Sequence, residues 1–280
     1  MNTAITLKDL EIQSKLIGLE SVTEEQTLEA SLERVPTFIT DVGRFITNLF
    51  ASNDHNLGKV GASRELLAAV AVSKYGDLIN KEISSAPGFQ GNYKAFVTFL
   101  EDQANGNMGT LIKNVLVPFN VWLAQIITNH EKLSSFRNDK NISQLHLFDS
   151  DAIRGALDKF FAGELSTVKT TFGVAYANNN EFATVNKSID SVMATIENID
   201  QEKIGVLVKE IDQRLTLLID TITKGTDKVT VTGVMVKSIA DISLTIARAC
   251  ETFSVYRYYA LMFAQGVKDG NADLQKQLVK

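Results

Sequence analysis

Cysteine, proline and histidine are all scarce in this chain, and each scarcity excludes something. Cys250 is the single cysteine. No disulfide can form within the chain, and nothing calls for an oxidising compartment. Three prolines stand in 280 residues, at Pro36, Pro87 and Pro118. Loop-rich and all-β proteins use more, whereas long helices exclude proline from their interiors. The three histidines, His55, His130 and His146, have no second His, Cys, Asp or Glu at a zinc-ligand spacing. Neighbouring His130 and Glu131 would point to different helix faces. All three are read as structural or solvated, with no metal site expected.

Long apolar runs are also missing. No window reaches about 18 uninterrupted apolar residues, so no membrane-spanning helix is predicted. The opening MNTAITLKDLEIQSKL carries acids and no apolar run, and is not read as a secretory signal. Phosphate loops of the GxxxxGK[ST] or GxGxxG type are absent, as is a GxSxG elbow. Gly225-Thr226-Asp227-Lys228 and Gly106-Asn107-Met108-Gly109 read as turns between helices. No cofactor is expected.

Net charge is −5, from 28 basic and 33 acidic residues. Most of the excess lies in residues 1–40. There Lys8, Lys15 and Arg34 face Asp9, Glu11, Glu20, Glu24, Glu25, Glu29 and Glu33, a local charge of −4. The remaining residues are nearly neutral. Phosphate binding needs clustered Lys and Arg, so no strong nucleic-acid signal is present.

What the chain does contain is helical periodicity. Leu7, Leu10, Leu16 and Ile17 mark a first stripe within residues 1–33, read as one or two short helices. Ser21 and Thr23 are candidate caps for the second, where Glu24 and Glu25 suit the dipole. Pro36 suits the first turn of a further helix carrying Phe38, Ile39, Val42, Phe45, Ile46, Leu49 and Phe50. A helix is predicted from Ser63 to Lys81. Ser84–Gly91 (SSAPGFQG) is the strongest breaker. Helical spacing resumes over 92–104 and 109–129, where Pro118 should kink or divide the run. A looser stretch over 130–148 precedes a short helix over Ser150–Ala162. Residues 164–179, rich in Thr, Val, Phe and Tyr, fit a short strand or an irregular loop.

The last hundred residues carry the clearest pattern. Phe182, Val185, Ile189, Val192 and Ile196 predict a helix over 180–199. Ile204, Leu207 or Val208, Ile211, Leu215, Leu218 and Ile222 share one face of the next. After a break at Lys224–Asp227 comes a seam of Ile239, Ile242, Ile246, Ala249, Phe253, Tyr256, Ala260 and Phe263, spaced alternately by three and four. A heptad seam favours near-parallel helix packing. The short break predicts an antiparallel hairpin over 201–267. The fold class is therefore all-α: an acidic N-terminal helical segment over 1–35, a helical region over 36–148, and a C-terminal bundle over 149–280.

Few residues invite a chemical reading. Cys250 has no base beside it and reads as a packing cysteine. The Asp149-Ser150-Asp151 triplet lacks the further oxygens of a calcium loop and suits a helix start. Tyr256-Arg257-Tyr258-Tyr259 could stack on bases. Core or interface packing is the simpler reading, because Tyr256 continues the seam. Trp122 also reads as core. No catalytic, cofactor-binding or metal-binding residue is assigned.

One segment has a familiar shape. Ala86-Pro87-Gly88-Phe89-Gln90-Gly91-Asn92-Tyr93, then Leu100, Leu116-Val117-Pro118-Phe119 and Trp122-Leu123, followed by Asn129-His130-Glu131-Lys132-Leu133, resembles helical virion proteins of large tailed bacteriophages. These are often termed internal head or structural proteins. The resemblance covers about residues 80–140. It implies a non-enzymatic protein in the virion or the infected host's cytoplasm, contacting other virion proteins or itself. Some such proteins lose a leader after a short motif ending in Glu, and Ser31-Leu32-Glu33 has that form. Two other classes fit the residues: a helical host-interaction or membrane-active, toxin-like protein, and an enzyme whose polar groups converge only in the fold. Against the toxin reading, stretches such as Lys237-Ser238-Ile239-Ala240-Asp241 interrupt the apolar runs.

Overall fold

A computed structural model describes residues 5–20, 25–51, 76–104, 106, 116–128, 150–198, 201–224 and 233–278. Among these the elements are α1 (Leu7–Glu20), α2 (Glu25–Ala51), β1 (Glu82–Ser84), α3 (Tyr93–Gln103), α4 (Val117–Thr128), α5 (Ser150–Phe160), β2 (Lys169–Thr171), α6 (Phe172–Ala175), α7 (Asn179–Asn198), α8 (Gln201–Lys224) and α9 (Gly233–Leu278). The protein is mostly helical, and its two strands are three residues each.

The chain forms two compact units, neither of them contiguous. One gathers Met1–Asn53, Gly109–Ser150 and Asp200–Ser254; the other gathers Asp54–Met108, Asp151–Ile199 and Val255–Lys280. Helix α9 supplies residues to both.

In the first unit α2 packs on α1 and α8, and α8 packs on α4. The buried face of α2 is Val35, Phe38, Ile39, Val42, Phe45 and Ile46, at the i, i+3, i+4, i+7 spacing of an amphipathic helix. Polar ties fasten the edges. Gln13 Nε2 donates to Asp41 Oδ2 at 3.2 Å, Asn120 Nδ2 to Glu210 Oε2 at 2.7 Å, and Arg248 reaches Glu11 Oε1 at 2.8 Å. Arg214 donates to the carbonyl of Asn120.

Pro36 does not start a helix. It lies inside α2, which runs unbroken from Glu25. An interior proline costs about 3 kcal/mol. The buried stripe beginning at Val35 supplies apolar burial along one face of the turns that follow, which offsets that cost. Ser31-Leu32-Glu33 consequently sits within a helix. Pro118, by contrast, falls in the first turn of α4.

In the second unit α3 packs on α7. The centre of its core is aromatic. Phe89 touches five rings, those of Tyr93, Phe96, Phe160, Phe161 and Phe263, at centroid distances of 5.0–6.3 Å. Most of these pairs are edge-on or tilted, the arrangement ring quadrupoles favour, each contributing about 0.5–1.5 kcal/mol beyond burial. A second group, Phe172, Tyr176 and Phe182, joins the first through Tyr93 and Tyr176 at 5.1 Å. Asn92 caps α3, its Oδ1 accepting from Ala95 N at 3.1 Å. Buried Asn271 donates to Asn186 Oδ1 at 2.7 Å, so the polar pair in this apolar setting is matched.

All eight seam residues of α9 are buried. The helix does not stop near 267, however: it continues to Leu278, with Val267 and Leu274 extending the buried stripe. Residues 164–179 resolve as β2 followed by the short α6. β2 pairs antiparallel with β1, Ile83 opposite Thr170. Helical structure after residue 75 ends at Leu78 rather than Lys81. Residues 63–75 of that predicted helix, the 130–148 stretch and the 225–232 connection lie outside the described residues.

Gly266 and Gly270 account for the length of α9. Glycine inside a helix costs about 1 kcal/mol against alanine. Here it permits contact no other residue would. A Cβ at Gly266 would stand 2.3 Å from Ala86 N, and one at Gly270 would stand 2.7 Å from the Ser84 carbonyl oxygen. The obstacle in both cases is backbone. Gly266→Ala is therefore expected to destabilise by about 1–3 kcal/mol despite its better helix propensity. Gly155→Ala in α5, where a Cβ would meet nothing within 4 Å, is expected to stabilise by about 0.5–1 kcal/mol. Thermal melts of the two variants check the pair. A Gly266→Ala protein as stable as wild type would show that the close approach is not required.

Candidate binding groove

The Pro87–Gly91 breaker is a fixed structure. Ser85 N donates to Val168 O at 3.0 Å, Gly88 N to Thr167 O at 3.1 Å, Gln90 N to Phe160 O at 2.7 Å, and Gly163 N to Gly88 O at 2.9 Å. Gly88 and Gly91 hold φ of +71° and +107°, conformations that suit glycine. Phe89 anchors the turn in the aromatic core. The turn thus continues the β1–β2 pairing past the end of the strands.

Strand β1 is also tied to the last turns of α9. Ser84 donates to Asp273 Oδ2 through both its backbone N (3.0 Å) and its Oγ (2.7 Å). Lys169 Nζ reaches the same carboxylate oxygen at 2.8 Å. Gln277 Nε2 donates to Glu82 O at 2.9 Å.

Between the turn and α9 lies a half-open cavity of about 400 Å³, within the range of small-ligand and side-chain pockets. Tyr258, Leu261, Met262, Gln265, Gly266 and Asp269 form one wall, all on one stripe of α9. Ser84, Ser85 and Pro87 form the other, with Val168 at the edge. The lining is predominantly carbon. Gln265 Nε2 donates to Asp269 Oδ1 at 2.8 Å, which orients the carboxylate. Ser85 Oγ and Tyr93 Oη are both buried, and neither completes an aligned hydrogen bond. Burial pushes the Tyr93 phenol up to about 12, and the nearby Ser85 hydroxyl offsets that in part.

The first unit holds a smaller void, bordered by Val42, Gly43, Ile46, Val208, Asp212 and Ser243 among others. Asp212 lies against Gly43, where a Cβ would overlap its carboxylate. Burial raises the Asp212 carboxyl above its ordinary value. Ser243 Oγ, buried at the same void, has no hydrogen-bond partner.

The chemistry-bearing residues singled out from sequence are dispersed. Cys250 is fully buried and its thiol is pushed up to about 12, far from the range of a reactive cysteine. Tyr256 is buried, donates to Leu100 O at 2.7 Å, and has its phenol raised by burial. Tyr259 stacks at a tilt on Phe161 at 4.4 Å. Tyr258 stands 49% exposed at the groove, edge-on to Tyr259 at 5.6 Å. Asp151 falls in the first turn of α5, the favourable end of its dipole. His55, His130, His146, Asp149 and the Trp122 side chain lie outside the described residues. Among the described residues no group of three or more His, Cys, Asp or Glu is placed to hold a metal, and no helix is long and apolar enough to cross a membrane.

The groove itself was missed in the sequence. Its signal was a second stripe, Tyr258, Met262, Gln265 and Asp269, spaced 4, 3, 4 and running beside the buried seam. The opposing wall comes from residues about 180 positions away, and no periodicity reports that.

Two titrations test these polar sites. The Lys169 ammonium first, and the Ser84 hydroxyl second, hold Asp273 below 3.8; Asp273 in turn raises Lys169 above 10.5. The stabilisation from Asp273 is complete above its unfolded value and is lost as pH falls through the folded one. That from Lys169 is complete below 10.5 and is lost as pH rises through its folded value. Asp273→Asn is expected to lower Tm at pH 7 by about 1–2 °C, since the pair is largely solvated, and to flatten the acid limb below pH 3.8. An unchanged melt at pH 7 would count against the tie. Asp212 has the opposite sign. Its penalty is absent below 3.8 and complete above the raised folded value. Asp212→Asn is expected to raise Tm at pH 7 by about 1–3 °C, with the gain vanishing in acid. A loss of stability at pH 7 would mean the carboxylate is needed.

No protein-family model, curated protein or solved structure matches the chain.

Proposed function

We propose that this chain is a non-enzymatic structural protein acting through protein–protein contacts, of the kind housed in the particles of large tailed bacteriophages. The observation that carries the reading is the use made of Ala86–Tyr93, the segment with the phage-protein resemblance. Its Phe89 and Tyr93 are buried in the aromatic core. Its Pro87, with Ser85 just before the segment, helps to form an apolar groove open at the surface. The segment thus serves architecture and presents a contact surface. Cys250, Tyr93, Tyr176 and Tyr256 are buried, with ionisation suppressed by that burial, which suits packing roles.

Mass spectrometry of purified particles tests the reading. The expected result is this protein in stoichiometric copy number, and its absence from washed particles would sink the proposal. The same spectra address the leader. Ser31-Leu32-Glu33 lies within α2, so cutting after Glu33 would have to precede or disrupt that helix. Peptides spanning Glu33–Arg34 in particle-derived protein would exclude that cut, and a mass lacking residues 1–33 would establish it.

A further inference from the structure

We propose that the groove between the Ser84–Pro87 turn and α9 docks a protein segment that presents a Lys or Arg side chain flanked by apolar residues. This rests on the reading of the chain as a protein–protein contact protein and names the surface and the chemistry it takes.

Three observations select that occupant. The first is charge. Among the described residues, Asp269 is the only charged one lining the groove, and no Lys or Arg lines it. The carboxylate accepts from Gln265 at 2.8 Å and retains further lone-pair sites. The cation closest along β2, Lys169, is engaged with Asp273 at 2.8 Å. Lys268 precedes Asp269 by one residue, about 100° around the helix. The second is the aromatic wall. Tyr258 is 49% exposed; eleven residues from Asp269, about 16 Å along the helix, its ring offers a face to the segment's apolar residues rather than to the cation paired with Asp269. Met262, between them on the stripe, adapts to varied apolar shapes.

The third observation is extent. Apolar surface continues past the cavity: Val168 is 44% exposed and Leu165, beside Gly88, is 77% exposed. An enclosed small molecule would not cover these side chains, whereas an extended or helical segment would. A basic side chain in the groove with apolar neighbours over Leu165 and Val168 satisfies both parts of the surface. Area of this kind rimmed by polar residues is what interfaces bury.

The test uses the full chain with ¹³C-methyl-labelled methionine, the Met262 resonance being assigned from Met262→Leu. Three peptides serve as probes: acetyl-Leu-Val-Lys-Leu-Val-amide and its counterparts with norleucine or Glu in the central place. Hexylammonium is the small-cation probe. The expected result is a saturable Met262 shift with the Lys peptide. Affinity should be about tenfold weaker for the norleucine peptide, and no response is expected to the Glu peptide. Asp269→Asn, on an exposed position that supports no core contact, should erase the Lys preference while leaving norleucine binding within about twofold. Equal binding of the Lys and norleucine peptides would overturn the charge selection. No shift with any peptide would overturn the docking site. Hexylammonium binding as tightly as the Lys peptide would overturn the protein segment as occupant. Absence from particles together with Lys-peptide binding would sink the virion reading and keep the groove; the converse would do the reverse.

Discussion

The second unit depends on one close contact, in which a stretch of extended backbone lies directly on a helix. Residues 84–86 approach α9 so nearly that only hydrogen fits at positions 266 and 270. Side-chain packing normally holds such elements 8–10 Å apart. With the side chain removed, the turn's own carbonyls and amides meet the helix surface. Everything near that contact follows from it. Ser84 comes within reach of Asp273, Phe89 is directed at Phe263, and the helix stripe that includes Gly266 becomes the wall of a groove. The helix loses intrinsic stability at two glycines and regains it through the aromatic core that the approach makes possible.

The first unit solves a similar problem less completely. Gly43 lets Asp212 lie against α2, where its carboxylate loses hydration and, among the described residues, no hydrogen bond to it compensates. Its raised titration is the signature of that deficit. Ser243 at the same void is equally unmatched. Asn186 and Asn271 in the second unit bond each other at comparable depth. The contrast separates polar groups that stabilise a core from polar groups that the core merely tolerates.

Much of the fold was legible because it is written in local periodicity. The eight-residue seam of α9, the stripes of α7 and α8, the Asn92–Tyr93 start of α3 and the 84–91 breaker all appear where spacing and turn chemistry place them. The failures have specific causes. Pro36 was read by its usual helix-start preference, yet tertiary burial of its flanking stripe carries α2 through it. The predicted hairpin ends near 267, just past the last seam residue Phe263, whereas α9 runs on through Gly266 and Gly270 to Leu278. The role of these glycines, admitting a backbone from 180 residues earlier, is invisible to any local rule. The groove was missed for the same reason: one wall is a readable stripe, the other is a non-local consequence of the glycines.

Exposed apolar side chains alone do not mark a contact surface. Ile12, Leu16, Val206 and Leu217 are also about half exposed, and isolated cases of this kind are ordinary. What distinguishes Tyr258, Val168 and Leu165 is their setting. They lie at or beside a concavity whose floor is fixed by backbone hydrogen bonds and whose lining, among the described residues, carries one carboxylate and no cation. A fixed floor lowers the ordering cost of binding, and an exposed carboxylate beside apolar surface offers an approaching cation one defined place to pair. The constraint that allows the turn to lie on α9 therefore also shapes the surface this protein offers to others.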